Sequence, residues 1–331
     1  MIPNNFLRVT LWLVCLFSLL TNLLVIAGRV SSKIPAMRNM FTSTINGKQN
    51  GFLINLAIAD LLTGVYLLII GISDAVFGKT YFLSALKWRE GIWCKGIGFV
   101  GFLANIASIL TLTFVSIERF FAIVMPFSRV RFRSKLTTTV CVTIWVISGV
   151  MAFTPIILSK FVEEIFGFSD ICLALPIVSV LELSKYSDVS VSAWGDFGEE
   201  LELVYHDTEV SRVQWLYSQI VYVYFSSTCV LLIALCYISI LKSTIASRQT
   251  SGRSADSTNE VNLALKVSLI IGTDLLCWLP VIITGILSQT GTNISTDTYA
   301  WFAIFVMPIN SAVNPFIYTI HTMMSKKKNE P

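Results

Sequence analysis

Charged residues are scarce in this chain. Asp, Glu, Lys and Arg make up 13% of its 331 residues, whereas ordinary soluble domains carry about 25%. Hydrophobic residues make up 54%, and the mean hydropathy is +0.72. Such a chain has too few polar groups to cover a globular surface in water. The composition therefore excludes an ordinary soluble protein and predicts that lipid is its main solvent.

Histidine and cysteine are also sparse, and their positions exclude several classes of protein. The two histidines, His206 and His321, are isolated, and glycine is scattered along the chain. The sequence therefore lacks the metal-ligand clusters and phosphate-binding loops that are typical of many enzymes, and we predict no enzyme activity. Seven cysteines is an odd number and five of them lie inside apolar runs, which excludes a disulfide-dense secreted scaffold. The basic residues form no extended stripe, so nucleic acid is not a predicted partner.

Seven apolar stretches are long enough to cross a bilayer, which requires about 20 residues of helix. They are too long for strands and lack a two-residue alternation, so we interpret them as helices. The predicted spans are about 7–28, 51–76, 92–124, 136–159, 213–241, 261–288 and 298–320. The predicted fold is all-α, a seven-transmembrane helix bundle that forms a single domain over residues 1–331.

The distribution of charge predicts the orientation of this bundle. With the N-terminus outside and the C-terminus cytoplasmic, 16 of the 24 Lys and Arg residues face the cytoplasm, which satisfies the positive-inside rule. The same orientation makes residues 160–212 a long acidic second extracellular loop, with 11 of the 20 acidic residues. An acidic loop attracts cationic ligands. The alternative is a solvated insertion without a binding role.

Polar residues inside the predicted spans are candidate functional sites, because they are costly in hydrocarbon. Asp60 has no Lys or Arg at a comparable depth with which to pair. Oxygen atoms of Ser108, Asn310 and Ser311 would complete a sodium-like site for a hard cation around it. The alternative is a water-bridged network that only packs the helices.

Three short motifs stand at the ends or in the middle of the predicted spans. They are Glu118-Arg119-Phe120, Cys277-Trp278-Leu279-Pro280 and Asn314-Pro315-Phe316-Ile317-Tyr318. A proline inside a helix removes a backbone donor and kinks the helix, so Pro280 and Pro315 predict hinges.

With these motifs in this order, the chain resembles the rhodopsin-like G-protein-coupled receptors over nearly its whole length. Further residues match the family's pattern: Asn22, Leu56 to Asp60, Trp145 and Tyr237. Other details are similar to the leucine-rich-repeat-containing receptors, especially the relaxin-receptor-like branch: Ala59 to Tyr66, Thr273-Asp274 and Pro308 to Pro315. Gly101 stands where amine receptors that resemble this chain carry an aspartate.

The resemblance implies a plasma-membrane receptor that transmits an extracellular peptide or protein signal to heterotrimeric G proteins. Two alternatives stay open. Only about six residues precede the first span, which suggests a receptor-like fragment without a ligand-binding ectodomain. An ion-coupled transporter would use Asp60, Asp274 and Asn310, although the two halves of the chain show no internal repeat.

The resemblance also implies roles for individual residues. It implies a disulfide between Cys94 and Cys172, and a set of residues for G-protein coupling and activation: Glu118, Arg119, Phe127, Tyr237, Glu260, Asp274, Trp278, Pro280, Asn314, Pro315 and Tyr318. Within this set we predict that Glu260, about 5.5 helical turns before Pro280, pairs with Arg119; the alternative is that Glu260 only caps an exposed helix start. We also predict that Asp274 restrains the sixth helix. Asn293 begins the only Asn-x-Ser/Thr glycosylation sequence. The predicted partners are a G protein, a peptide or protein ligand and the lipid bilayer. The only cofactor considered is an allosteric sodium ion.

Overall fold

The computed structural model describes residues 2, 4–30, 47–128, 132–160, 170–172, 191–194, 200–203, 216–217, 219–250, 272, 276–288, 290, 292 and 296–315. Glu260, Asp274, Asn293 and Tyr318 lie outside these residues, so the predictions made for them remain predictions.

Within the described residues, one apolar helix lies in each of the seven predicted apolar runs. The first four are α1 (Asn5–Val30), α2 (Gly47–Phe77), α3 (Ile92–Ile123) and α4 (Ser134–Leu158). Helix α5 (Ser226–Thr250) continues directly from a π-helical segment, Gln219–Phe225. Two shorter apolar helices follow, α6 (Leu276–Ser288) and α7 (Phe302–Pro315). The start of α7, Phe302–Val306, is π-helical, and a short helix over Thr296–Trp301 leads into it. Five of the described helices are long and apolar enough to cross a membrane.

Two small elements lie between the apolar helices. A 3₁₀ turn (Gly78–Thr80) and a ten-residue helix, Tyr81–Glu90, here called the loop helix, connect α2 to α3. The long acidic loop, residues 160–212, contains an antiparallel hairpin of β1 (Val191–Trp194) and β2 (Glu200–Leu203). In β2 acidic and apolar residues alternate, the period of a strand with one face in water. This hairpin is a small addition to the predicted all-α architecture.

Two hydrophobic clusters hold the bundle together. One lies among α3, α4, α5 and α6 and includes Ile106, Ile144, Val221 and Trp278. The other joins α1, α2, the start of α3 and α7, and includes Leu11 and Ile304 among others. Large apolar side chains also point outwards, for example Leu20 at 59%, Val150 at 65% and Leu231 at 62% exposure. An outward apolar face on the helices of a bundle is what a lipid environment requires.

The two ends of the bundle carry different features and are named here by them. The disulfide end is where the loop helix and the bond between Cys94 and Cys172 lie. The Arg119 end is where α3 finishes and the exposed Phe127 follows.

Candidate functional sites

Asp60 is the centre of a buried polar cluster in the middle of the bundle. Its side chain is on α2, and the residue is 1% exposed. The Oδ1 atom accepts hydrogen bonds from Ser311 Oγ at 3.1 Å and Ser108 Oγ at 3.5 Å. The Oδ2 atom accepts one from Asn314 Nδ2 at 3.1 Å. One carboxylate therefore links α2 to both α3 and α7.

Asn310, the fourth residue predicted for the cation site, makes its described contact elsewhere. Its Oδ1 atom accepts a hydrogen bond from Cys277 Sγ at 3.1 Å, which joins α6 to α7. The amide that reaches Asp60 belongs to Asn314, a member of the predicted activation set. Asn22 extends the network to α1, because its Nδ2 atom donates to the backbone oxygen of Ser311 at 2.8 Å.

The Asp60 cluster has the donor chemistry for a hard cation. It offers a carboxylate and two hydroxyl oxygens, which are the ligand types that such ions prefer. The Oδ1 atom of Asn314 is buried and has no hydrogen-bond partner among the described residues. A buried acceptor without a donor is costly unless an ion or a water satisfies it. The residues present therefore fit a bound cation.

Arg119 lies buried at the end of α3. It is 5% exposed, and its Nε atom is 2.9 Å from Oε2 of the neighbouring Glu118. A buried guanidinium needs such a partner, because leaving it unpaired costs several kcal/mol. Phe127 follows eight residues later and is 98% exposed. The Arg119 end thus combines a buried ion pair with an apolar side chain that lies open to a partner.

The other described residues of the predicted activation set lie on α5, α6 and α7. Tyr237 is half-buried on α5. Trp278 is 7% exposed in the cluster that contains Val281 and Ile282, and Pro280 follows it on α6. Pro315 is buried at the end of α7. Trp278 and Pro315 thus lie within the packed helices, so a change in helix position would alter their contacts.

The disulfide end is fastened by the predicted bond between Cys94 and Cys172, which the structure confirms. Asp170, two residues before Cys172, accepts a hydrogen bond from Tyr81 Oη at 2.9 Å. Its carboxylate lies 3.5 Å from Arg89 Nε, and its backbone oxygen accepts from Trp88 Nε1 at 3.1 Å. Burial, and then the Asp170 carboxylate, raise the pKa of Tyr81, so its phenol stays a donor at neutral pH.

Sequence reasoning missed two buried polar contacts. The Tyr66 hydroxyl donates to the backbone oxygen of Ile171 at 2.9 Å. Gln219 Nε2 donates to Ser288 Oγ at 3.2 Å and joins α5 to α6. The sequence held a signal for Gln219, which is an amide inside an apolar run. It held none for Tyr66, whose bond to Ile171 depends on how the loop packs.

Comparison with known proteins identifies the family. Residues 9–192 and 201–318 match the model of the 7 transmembrane receptor (rhodopsin family). The chain belongs to this family. The predicted resemblance and the seven-transmembrane fold are thereby confirmed, as is the prediction of a multi-pass plasma-membrane protein that is a receptor and not an enzyme.

Individual relatives of this rhodopsin-family chain include receptors from a mollusc and from mammals. The chain is 32% identical over 97% of its length to the G-protein coupled receptor GRL101 of Lymnaea stagnalis. It is 30% identical over 97% of its length to Relaxin receptor 1 of Mus musculus, and 29% identical over 99% to Relaxin receptor 2 of Homo sapiens. The alignments cover 25%, 37% and 38% of these three relatives. The chain thus spans about a quarter to two fifths of their length.

Proposed function

We propose that this chain transmits an extracellular peptide or protein signal to heterotrimeric G proteins. The observation that carries the proposal is the Arg119 end, where a buried ion pair lies near a fully exposed phenylalanine. The names of the similar proteins, a G-protein coupled receptor and two relaxin receptors, support the same function.

The ion pair would hold the receptor in its resting arrangement. Arg119 is buried beside Glu118, so any motion that opened the Arg119 end would expose the guanidinium to water and to a partner. Glu260 would share the same guanidinium and tie α3 to the sixth span. Phe127, Tyr237 and Tyr318 would then contact the G protein. A ligand shifts this equilibrium only by its differential affinity for the two arrangements.

The signal would arrive at the disulfide end. The acidic segment 160–212 would attract a ligand with positive charge, because opposite charges steer association. A small amine is disfavoured as the ligand, since Gly101 provides no carboxylate and the Tyr66 ring lies against it. A peptide or protein that binds the loops fits this arrangement better.

We also infer that the Asp60 cluster binds a sodium-like cation as an allosteric ligand. Asp60, Ser108 and Ser311 would supply oxygen ligands, and Asn314 Oδ1 is an unpaired acceptor among the described residues. The cation would stabilise the arrangement of α2, α3 and α7 in which these oxygens converge. By resemblance, that arrangement is the inactive one.

Nucleotide exchange by G proteins tests the main proposal. The purified chain is placed in lipid nanodiscs with heterotrimers of each Gα class, and GTP analogue uptake is measured against empty nanodiscs. We expect uptake above the empty control with at least one heterotrimer, and its loss in Arg119→Ala. Arg133→Ala is the matched control, because Arg133 is exposed. Equal uptake with and without the chain would contradict the proposal.

A further inference from the structure

One phenol, Tyr66, connects three parts of the disulfide end. Its hydroxyl donates to the backbone oxygen of Ile171, and the residue is 4% exposed. Its ring lies against Gly101 of α3, where a Cβ atom would be 2.7 Å from Tyr66 Cδ2. The ring therefore occupies the space that any side chain at position 101 would need. Helix α2, helix α3 and the residues before Cys172 are positioned by the same side chain.

Ile171, which accepts the Tyr66 hydrogen bond, is the middle residue of Asp170, Ile171 and Cys172, here called the anchor tripeptide. Ile171 is 3% exposed, and Cys172 is bonded to Cys94 on α3. Cys172 has a φ of 61°, in the left-handed region that residues other than glycine seldom adopt. Such a conformation persists only where the surroundings fix it. The anchor tripeptide is thus a stiff connector.

The loop helix contacts the anchor tripeptide at Asp170. Tyr81 and Arg89 approach the Asp170 carboxylate, and Trp88 donates to its backbone oxygen. The loop helix and the anchor tripeptide are therefore expected to move together. Tyr66 joins the anchor tripeptide to the body of α2 by a side-chain hydrogen bond.

Helix α2 carries any displacement of Tyr66 towards the Asp60 cluster. Tyr66 and Asp60 are six residues apart on α2, which is about 9 Å along the helix. A helix that slides or rotates at Tyr66 also moves the carboxylate at that distance. Asp60 is bonded to both α3 and α7, so its hydrogen bonds would register the movement.

We propose that Tyr66 is a positioning residue that couples the anchor tripeptide, which belongs to the loop 160–212, to the Asp60 cluster. A ligand that displaces the loop would act on α2 through the hydrogen bond between Tyr66 and Ile171, without entering the space between α2 and α3. The effect of this coupling on signalling rests on the receptor function proposed above. The mechanical coupling between the anchor tripeptide and α2 does not rest on that function.

The test compares two tyrosines that make the same kind of bond. Tyr66→Phe removes the hydroxyl and keeps the ring against Gly101. Tyr217→Phe is the matched control, because the Tyr217 hydroxyl also donates to a backbone oxygen, that of Met151 at 2.6 Å, away from the anchor tripeptide. Basal nucleotide exchange and the midpoint of thermal unfolding are measured before and after chemical reduction of the Cys94–Cys172 bond, with reduction verified by mass spectrometry.

Tyr66→Phe should raise basal exchange about threefold, an effect within the range of one neutral hydrogen bond. Reduction should raise exchange in the wild type and in Tyr217→Phe, with no further rise in Tyr66→Phe. Reduction should also lower the unfolding midpoint of Tyr66→Phe by less than half the shift seen in Tyr217→Phe. Equal effects of reduction in the two variants would overturn the proposal. If no form of the chain stimulates exchange, the receptor function fails, while the unfolding midpoints still decide the role of Tyr66.

Discussion

Asp60 is a single buried carboxylate that links three helices of an apolar bundle. A carboxylate in hydrocarbon is expensive unless it is paired, neutralised or well hydrogen-bonded. Here it accepts from three side chains on two other helices. The residue thereby ties the position of α2 to those of α3 and α7, and any ligand bound at the carboxylate acts on all three helices at once.

Removing the charge of Asp60 should abolish stabilisation by sodium. In the wild type, replacing potassium with sodium at constant ionic strength should raise the midpoint of thermal unfolding, because an ion bound only to the folded state stabilises it. Asp60→Asn keeps the size of the side chain and removes the charge that attracts the ion, so the midpoint should no longer depend on sodium. Asp74→Asn, at the disulfide end, is the control and should keep the dependence. An equal shift in the wild type and Asp60→Asn would rule out a cation at this carboxylate.

A second prediction at the residue scale concerns the ion pair of Arg119 and Glu118. Glu118→Gln removes the carboxylate charge from a buried guanidinium, and a hydrogen bond to a charged group contributes about 1.5–3 kcal/mol. If this pair favours the resting arrangement, basal nucleotide exchange should rise roughly tenfold or more.

The control for Glu118→Gln is Asp74→Asn. Asp74 is also buried and pairs with an arginine, since Arg8 Nε lies 2.6 Å from its Oδ2 atom. This pair is at the disulfide end, so its loss should lower stability and leave basal exchange unchanged at equal surface expression. A rise of similar size in both variants would show that general destabilisation, and not the Arg119 pair, controls exchange.

At the scale of helices, close packing between α1 and α2 depends on glycine. A Cβ atom at Gly71 would lie 2.6 Å from Leu11 Cδ2 and 3.2 Å from Trp12 Cζ2. Leu11 is fully buried and has little room to move. Gly149 on α4 has no atom within 4 Å of the corresponding position in the described structure. The two glycines thus share a helical backbone and differ in what surrounds them.

Alanine at these two glycines should change stability in opposite directions. Overpacking a core typically costs about 1–3 kcal/mol, so Gly71→Ala should lower the midpoint of thermal unfolding. Gly149→Ala meets no neighbour and gains up to about 1 kcal/mol of helix propensity, so its midpoint should stay equal or rise. Measurement of both midpoints in one detergent checks the prediction. A lower midpoint for Gly149→Ala than for Gly71→Ala would contradict the inference that α1 packs closely on α2 at Gly71.

At the scale of the whole molecule, the helices were predictable and many of their contacts were not. In lipid, apolar runs of this length satisfy their backbone hydrogen bonds by forming helices, so α1 to α7 follow from composition and length. The π-helical segments before α5 and at the start of α7 did not follow, because a continuous apolar run does not mark the turn that takes in an extra residue. The hairpin of β1 and β2 was also not predicted.

The contacts within the polar sites were also predictable only in part. The disulfide was expected from the family resemblance, and the convergence of Asp60, Ser108 and Ser311 was expected from the polar residues inside the predicted spans. The partners of the two amides on α7 were not, because Asn310 and Asn314 are one turn apart and only the packed structure directs one to Cys277 and the other to Asp60. The contact of Tyr66 with Gly101 is a fit between two helices, which no spacing along one helix can reveal.

Orientation in the membrane is a property of the whole molecule that charge alone predicts, and it can be tested at its two ends. With the N-terminus outside, the disulfide end faces the medium and the Arg119 end faces the cytoplasm. Lys87 in the loop helix is exposed, and Phe127 is 98% exposed. A membrane-impermeant maleimide should therefore label Lys87→Cys in intact cells and Phe127→Cys only after permeabilisation. The wild type, with its five described cysteines outside the disulfide, sets the background. Labelling of Phe127→Cys in intact cells at the level of Lys87→Cys would contradict the positive-inside prediction, and with it the assignment of the Arg119 end to the G protein.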